Sequence, residues 1–127
     1  LSEILPEFPK WEFHHGDLGG VNDLVKKTCH ELDAIIIDVA EPWIIVDKII
    51  PLLRMGGKIA CYCPTTSQLE KSWIKLEECG LSIEWSGEMI ERRWSIASKG
   101  GVRPSNTPIG HTAFIIIATK IALDEQE

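Results

Sequence analysis

Hydrophobic and polar positions along this chain alternate between two periods. Residues 34–37 read Ala-Ile-Ile-Ile without a polar break, and Asp38 ends the run. A short, wholly apolar, β-branched run predicts a strand buried on both faces. Residues 58–63, Lys-Ile-Ala-Cys-Tyr-Cys, predict a second such strand, and Phe114-Ile115-Ile116-Ile117 within residues 112–119 predict a third. Residues 81–89 behave differently, setting Ile83, Trp85 and Met89 against Ser82, Glu84 and Glu88. That alternation predicts a strand with one more polar face, near a sheet edge. Residues 11–15 make a shorter strand candidate, closed by Gly16-Asp17.

Between these runs the period lengthens to that of a helix. Residues 42–54 bring Ile45, Ile49, Leu52 and Leu53 to one side. Pro42 suits the first turn of that helix, where its missing N–H costs nothing. Pro51 should kink or restart it, and Gly56-Gly57 should end it. Further on, Leu69, Trp73 and Leu76 recur at helical spacing. Thr65 and Gln68 have the spacing of a capping box at its start, and Gly80 is a natural stop. Asn22 predicts the cap of a short helix reaching His30, whereas residues 92–110, with Gly100-Gly101, Pro104 and Pro108, read as a polar connection.

Strand and helix therefore alternate until two final strands that lack a clear helix between them. This order predicts a parallel α/β sheet with helices on both faces and an antiparallel hairpin at its end. Asp17, Asp38 and the Tyr62-Cys63-Pro64 corner all fall at C-terminal strand tips, on the rim where open α/β sheets bind ligands. One such aspartate would be read as a helix cap. Two carboxylates and an aromatic on one rim point instead to a pocket.

Composition narrows the field. The 127 residues suffice for one domain, and the 44% hydrophobic and 25% charged content is that of an ordinary globular chain. No apolar run is long enough to span a bilayer, and residues 1–9 do not read as a signal peptide. A start at Leu1 reads as a cut inside a longer protein. The four cysteines, Cys29, Cys61, Cys63 and Cys79, form no C-x-x-C pair, and the four histidines lack metal-ligand spacing. Reduced, buried thiols of a cytosolic protein, with Cys61 and Cys63 on one strand face and Tyr62 on the other, fit better. His14 and His15 read as half-exposed strand residues. A net charge of −6 argues against nucleic acid binding over the whole surface. Residues 90–103 depart from that balance, holding Arg92, Arg93, Lys99 and Arg103 against Glu91 alone. Such a strip is a solvated loop or a resting place for a phosphate backbone.

Three motifs in order sharpen the reading. They are Asp38-Val-Ala-Glu-Pro-Trp43, then the Gly56–Gln68 stretch containing Tyr62-x-Pro64-x-x-x-Gln68, then Arg103-Pro104 with His111-Thr112. Together they resemble the tRNA (adenine-N1)-methyltransferase family over nearly the whole chain from about Phe13. The resemblance implies a class I, Rossmann-like methyltransferase sheet, mostly parallel with a C-terminal antiparallel hairpin, of which only the later strands are present. Residues 1–127 would then be part of a catalytic domain whose Gly-rich cofactor loop and ribose-binding acid lie upstream. The sheet would keep an exposed edge.

The resemblance also implies S-adenosyl-L-methionine as cofactor, a T-loop adenine of tRNA as substrate, a homotetramer and a cytoplasmic location without membrane contact. Asp38 becomes the catalytic carboxylate, also adjoining the cofactor, and Asp17 the residue near the cofactor's adenine. Trp43, Tyr62, Gln68, Arg92, Arg93, Arg103 and His111 become candidates for holding tRNA. Val39 and Ala40, and Ala113 after His111-Thr112, depart from the family's usual residues but leave the polar positions in place. Other readings are a non-catalytic tRNA-binding partner subunit, a methyltransferase with another substrate, and a nucleotide-binding oxidoreductase. The last lacks any G-x-G-x-x-G.

Overall fold

The computed structural model describes residues 13–17, 20, 23, 31–105 and 112–122. Strand β1 (Leu32–Ile37) leads through Asp38 into helix α1 (Pro42–Ile49), as the apolar run followed by Pro42 predicts. Pro51 does restart the chain: a 3-10 turn over Ile50–Leu52 follows the helix directly. Strand β2 (Leu53–Cys63) then begins earlier than expected, so Leu53 to Gly57 are strand rather than the end of a helix. Their apolar spacing misleads because the register with β1 slips there, from Leu32 opposite Leu53 to Ala34 opposite Lys58. Gly56, at φ +72°, makes that bulge possible, since side chains disfavour this conformation. Lys120 anchors the corner by donating to the carbonyls of Ile50 (3.0 Å) and Leu53 (2.6 Å).

Helix α2 (Thr66–Glu78) starts with the predicted capping box and stops before Gly80, at φ +78°. Strand β3 (Leu81–Gly87) lies at an edge, and the final strand, β6 (Phe114–Lys120), inserts beside it. The sheet order is β1-β2-β6-β3. β1 and β2 are parallel, whereas β6 runs antiparallel to both β2 and β3. The α/β class and the antiparallel final pair agree with expectation, and the sheet as described is mixed.

Further findings bear on the expectations. First, among the described residues both helices pack on one face of the sheet, while the third expected helix lies almost wholly outside the described residues. β1, β2 and β3 succeed one another in the same direction across the sheet. Right-handed crossovers in one direction deliver their helices to one side. The opposite face therefore stays open among the described residues, and Ile36 of β1 is 82% exposed instead of buried. Secondly, Trp85 does not share a face with Ile83. A bulge at Glu84 shifts the pairing from Ile83–Ala118 to Trp85–Ile117, which turns Trp85 outward. Thirdly, residues 92–110 are not simply a connection. Strands β4 (Trp94–Ile96) and β5 (Val102–Pro104) pair as a separate hairpin around Gly100 and Gly101. Residues 13–15 are exposed and form no strand, so His14 and His15 are not strand residues; the helix expected over 22–30 lies outside the described residues apart from Asp23, which is helical.

The core lies between the helices and the covered sheet face. Val46, Leu53, Ile59, Cys61, Cys63, Leu76, Ile116 and Ala118 are all buried. Each large side chain there contributes roughly 1.5–3 kcal/mol by leaving water. Leu76 is fully enclosed, so Leu76→Ala should cost about 2–5 kcal/mol, whereas Leu76→Met should cost under about 1.5 kcal/mol. Urea denaturation of the full-length protein, followed by the fluorescence of its tryptophans, checks the difference.

Candidate active site

The parallel pairing of β1 with β2 sets the geometry of the rim. Ile37 stands opposite Cys61, and both face the helices. One residue further, the alternation carries Tyr62 to the open side, and Asp38 follows β1 directly at the neighbouring strand tip. Asp38 is exposed, and Tyr62 retains 40% of its accessible surface. Asp38 also borders a cavity of about 740 Å³ that wraps the β1 edge. Its walls are chiefly apolar, formed by Ile35, Ile36, Ile45 and Ile49, and the exposed Phe13 and His14 also border it. The segment that holds Asp17 therefore runs alongside the Asp38 rim. Asp17 itself lies in a turn, where its carbonyl accepts from the Gly20 N–H at 3.0 Å.

The next two candidates sit on the helix starts that follow these tips. Trp43 occupies the first turn of α1 half-buried, with the Lys71 ammonium 4.9 Å from its ring centre. A cation thus covers one face of the indole. Gln68 is fully engaged with two loops. Its side-chain oxygen accepts from the Thr65 N–H (2.9 Å) and hydroxyl (2.8 Å), while its Nε2 donates to the Ala40 carbonyl at 2.9 Å. Asp38, Trp43, Tyr62 and Gln68 are thereby brought to one rim.

The basic candidates are elsewhere, on and beside the β4–β5 hairpin. Arg93 pairs with Glu91 at 2.6 Å, Arg103 stands opposite Ser95, and Arg92 is exposed. His111 lies outside the described residues. Its neighbour Thr112 donates to the Glu88 carboxylate just past β3, so the final motif is tied to the end of that strand. Two features escaped the sequence reading. The Lys71–Trp43 contact joins separate helices and leaves no local pattern. The hairpin did leave one, Trp94 and Ile96 alternating with Ser95 ahead of the Gly100-Gly101 turn.

Because β1 has no neighbouring strand on its outer side among the described residues, this apolar space is the unpaired edge of the sheet. At the strand tip the exposed Asp38 carboxylate can accept a hydrogen bond from an amino group, which fits the adenine of S-adenosylmethionine or an extruded adenine base.

No protein-family model matches the chain. It is 38% identical over 89 residues to a tRNA (adenine(57)-N(1)/adenine(58)-N(1))-methyltransferase of Methanocaldococcus jannaschii, covering 69% of this chain and 31% of that protein. Among solved structures it resembles an S-adenosylmethionine-dependent O-methyltransferase of Thermotoga maritima, with 35% identity and a TM-score of 0.65 over 72% of this chain and 34% of that one. It also resembles the tRNA (m1A58) methyltransferase of Aquifex aeolicus, with 26% identity and a TM-score of 0.63 over 72% of this chain and 36% of that one. The fold is that of the Rossmann-like, S-adenosylmethionine-dependent methyltransferases. Within that class, over its matched residues, the chain belongs to the tRNA (adenine-N1)-methyltransferase family. It spans about a third of the length of these relatives.

The cysteines beneath the rim are inert by environment. Burial, with a smaller contribution from Cys63, pushes the Cys61 thiol up to about 12. Burial also raises Cys63, against the opposing effect of its hydrogen bond to Ser72. A raised thiol stays protonated in the folded state after the unfolded chain has begun to ionise. The stability it contributes is intact below the ordinary value of 9.0 and is lost as pH climbs toward about 12. At pH 8 iodoacetamide should leave Cys61 and Cys63 unmodified in the native protein and alkylate both in denaturant, as peptide mass spectrometry would record.

Proposed function

We propose that the full-length protein is an S-adenosylmethionine-dependent methyltransferase acting on tRNA, and that the acceptor is N1 of a T-loop adenine. The observation that carries this reading is Asp38, an exposed carboxylate at the tip of β1, next to the Tyr62 end of the parallel strand β2. Kinship with the archaeal tRNA methyltransferase supports the choice of acceptor. S-adenosylmethionine, when bound, supplies a methyl group already activated as a sulfonium. Adenine N1 has its own lone pair, so this chain need provide no base. Asp38 accepts a hydrogen bond from the adenine N6 amino group and stabilises the positive charge that grows on the ring. Tyr62, beside it, offers an aromatic face to an extruded base. Asp17 serves the cofactor's amino edge.

The exposed arginines of the hairpin, with Lys99, are read as the phosphate-binding strip. The same hairpin supports a homo-oligomer, the homotetramer that the family resemblance implies. Trp94, Ile96, Val102 and Pro104 share one of its faces, and Ile96 is 79% exposed. An apolar surface of this kind calls for a partner. No helix among the described residues is long and apolar enough to cross a membrane, and a cytoplasmic location fits a tRNA-modifying enzyme. A second reading, methylation of an oxygen on a different substrate, is favoured by the likeness to the Thermotoga O-methyltransferase. An oxygen acceptor must lose a proton, which would make Asp38 a base instead of an electrostatic partner.

Two experiments test the reading. Asp38→Ala in the full-length protein should lower kcat for adenine methylation by about 10²–10³ while tRNA and cofactor affinities change little. Single-turnover assays beside binding titrations measure both, and unchanged turnover would reduce Asp38 to a loop residue.

Replacing Arg92, Arg93 and Lys99 by Gln should weaken tRNA binding and flatten its salt dependence, by about 0.7–0.9 in log–log slope for each phosphate no longer neutralised. The methylated adenine should stay the same, because phosphate contacts position the substrate and do not read bases. Filter binding across salt, with sedimentation of the same variants, checks this. A wild-type slope with a broken oligomer would assign the strip to a subunit interface.

A further inference from the structure

We infer that Gln68 is a positioning residue, which holds the loop carrying Asp38 in its working place and does not itself contact substrate. The inference rests on the methyltransferase reading above. It starts from an asymmetry in the capping box. A box of this kind needs only an acceptor at its third helical position, and Glu serves as well as Gln. Here the Gln68 oxygen already fills that need, accepting from the Thr65 N–H and hydroxyl, and the Thr65 oxygen accepts in turn from the Gln68 N–H at 3.2 Å. The amide nitrogen is left over for a second task, which is the 2.9 Å bond to the Ala40 carbonyl.

The orientation of the amide follows from its partners. The Thr65 N–H can only donate and the Ala40 carbonyl can only accept, so a flipped amide would set like against like at both ends. Ala40 lies two residues after Asp38 and just before the start of α1. Glu41, at the cap position of α1, makes no side-chain capping bond, so the side-chain bond that steadies this loop comes from Gln68. One residue thus fixes the start of α2 with its oxygen and the Asp38 loop with its nitrogen. Displacing a reacting group by about 1 Å can cost on the order of 10² in rate, so a tether at this point governs turnover more than binding.

The two ends separate by mutation. Gln68→Glu keeps the acceptor for Thr65 and removes the donor to Ala40. In the full-length protein the melting temperature should hold or rise, because a carboxylate favours a helix N-terminus. Its kcat should fall roughly 10–100-fold with KM for tRNA unchanged, and amides 38–41 should exchange with solvent at least tenfold faster while those of α2 do not. Thr65→Ala is the converse, since it weakens the box and spares the Ala40 bond, so it should lower the melting temperature and keep kcat. If Gln68→Glu instead raises KM for tRNA at constant kcat and constant exchange, Gln68 is a substrate contact and the inference fails. Should the wild-type protein not methylate tRNA adenine, the function reading fails. The exchange of amides 38–41 still decides the tether, unchanged exchange overturning it.

Discussion

Strand β2 is the member on which the rest of this structure depends. It is hydrogen-bonded on both sides, parallel to β1 and antiparallel to β6. Ile59, Cys61 and Cys63, at alternate positions along it, are wholly enclosed beneath the helices. Losing β2 would separate β1 from the rest of the sheet and remove the floor of the core. The parallel pairing has a chemical consequence as well. Parallel neighbours end at the same rim, so Asp38 and the Tyr62–Gln68 corner meet there without any long loop. An antiparallel β1 would carry Asp38 to the opposite end.

What could be read from the residues divides along the range of the forces involved. Pro42 at the head of α1, the Thr65–Gln68 box and Gly80 past α2 were legible because each acts within a few residues of itself. The Asp38 tip was legible for the same reason, as the end of an apolar run followed by a helix start. Leu53 misled because its apolar phase fits a helix and a bulged strand equally well, and only the pairing with Leu32 distinguishes them. Trp85 misled because one extra residue at Glu84 inverts its face, which no periodicity records. The placement of both helices on one side is a property of strand order, and strand order lies between elements, not within them.

At the site the same division holds. The oxygen side of Gln68 was foreseeable, being part of a local box. The nitrogen side bridges residues 28 positions apart in sequence and appeared only with the fold. The contact of Lys71 with Trp43 is of that second kind. It bears on the chemistry too, since an indole face covered by an ammonium is a poorer platform for an extruded base than the open side of Tyr62.

The β4–β5 hairpin sorts basic and apolar side chains onto separate faces within an acidic chain. Cross-strand partners in an antiparallel pair project to the same side. Trp94 with Pro104 and Ile96 with Val102 therefore build one apolar face, while Ser95 with Arg103 lies on the other. Arg93 continues the basic side, and its partner Glu91 is itself exposed, so the pair gains little from its own Coulomb attraction in water. A phosphate could replace Glu91 without a large desolvation cost. The apolar side cannot be satisfied by a phosphate, nor the basic side by an apolar contact. Under the proposed function, phosphate binding and subunit association would fall to opposite faces of one short hairpin, and neither would exclude the other.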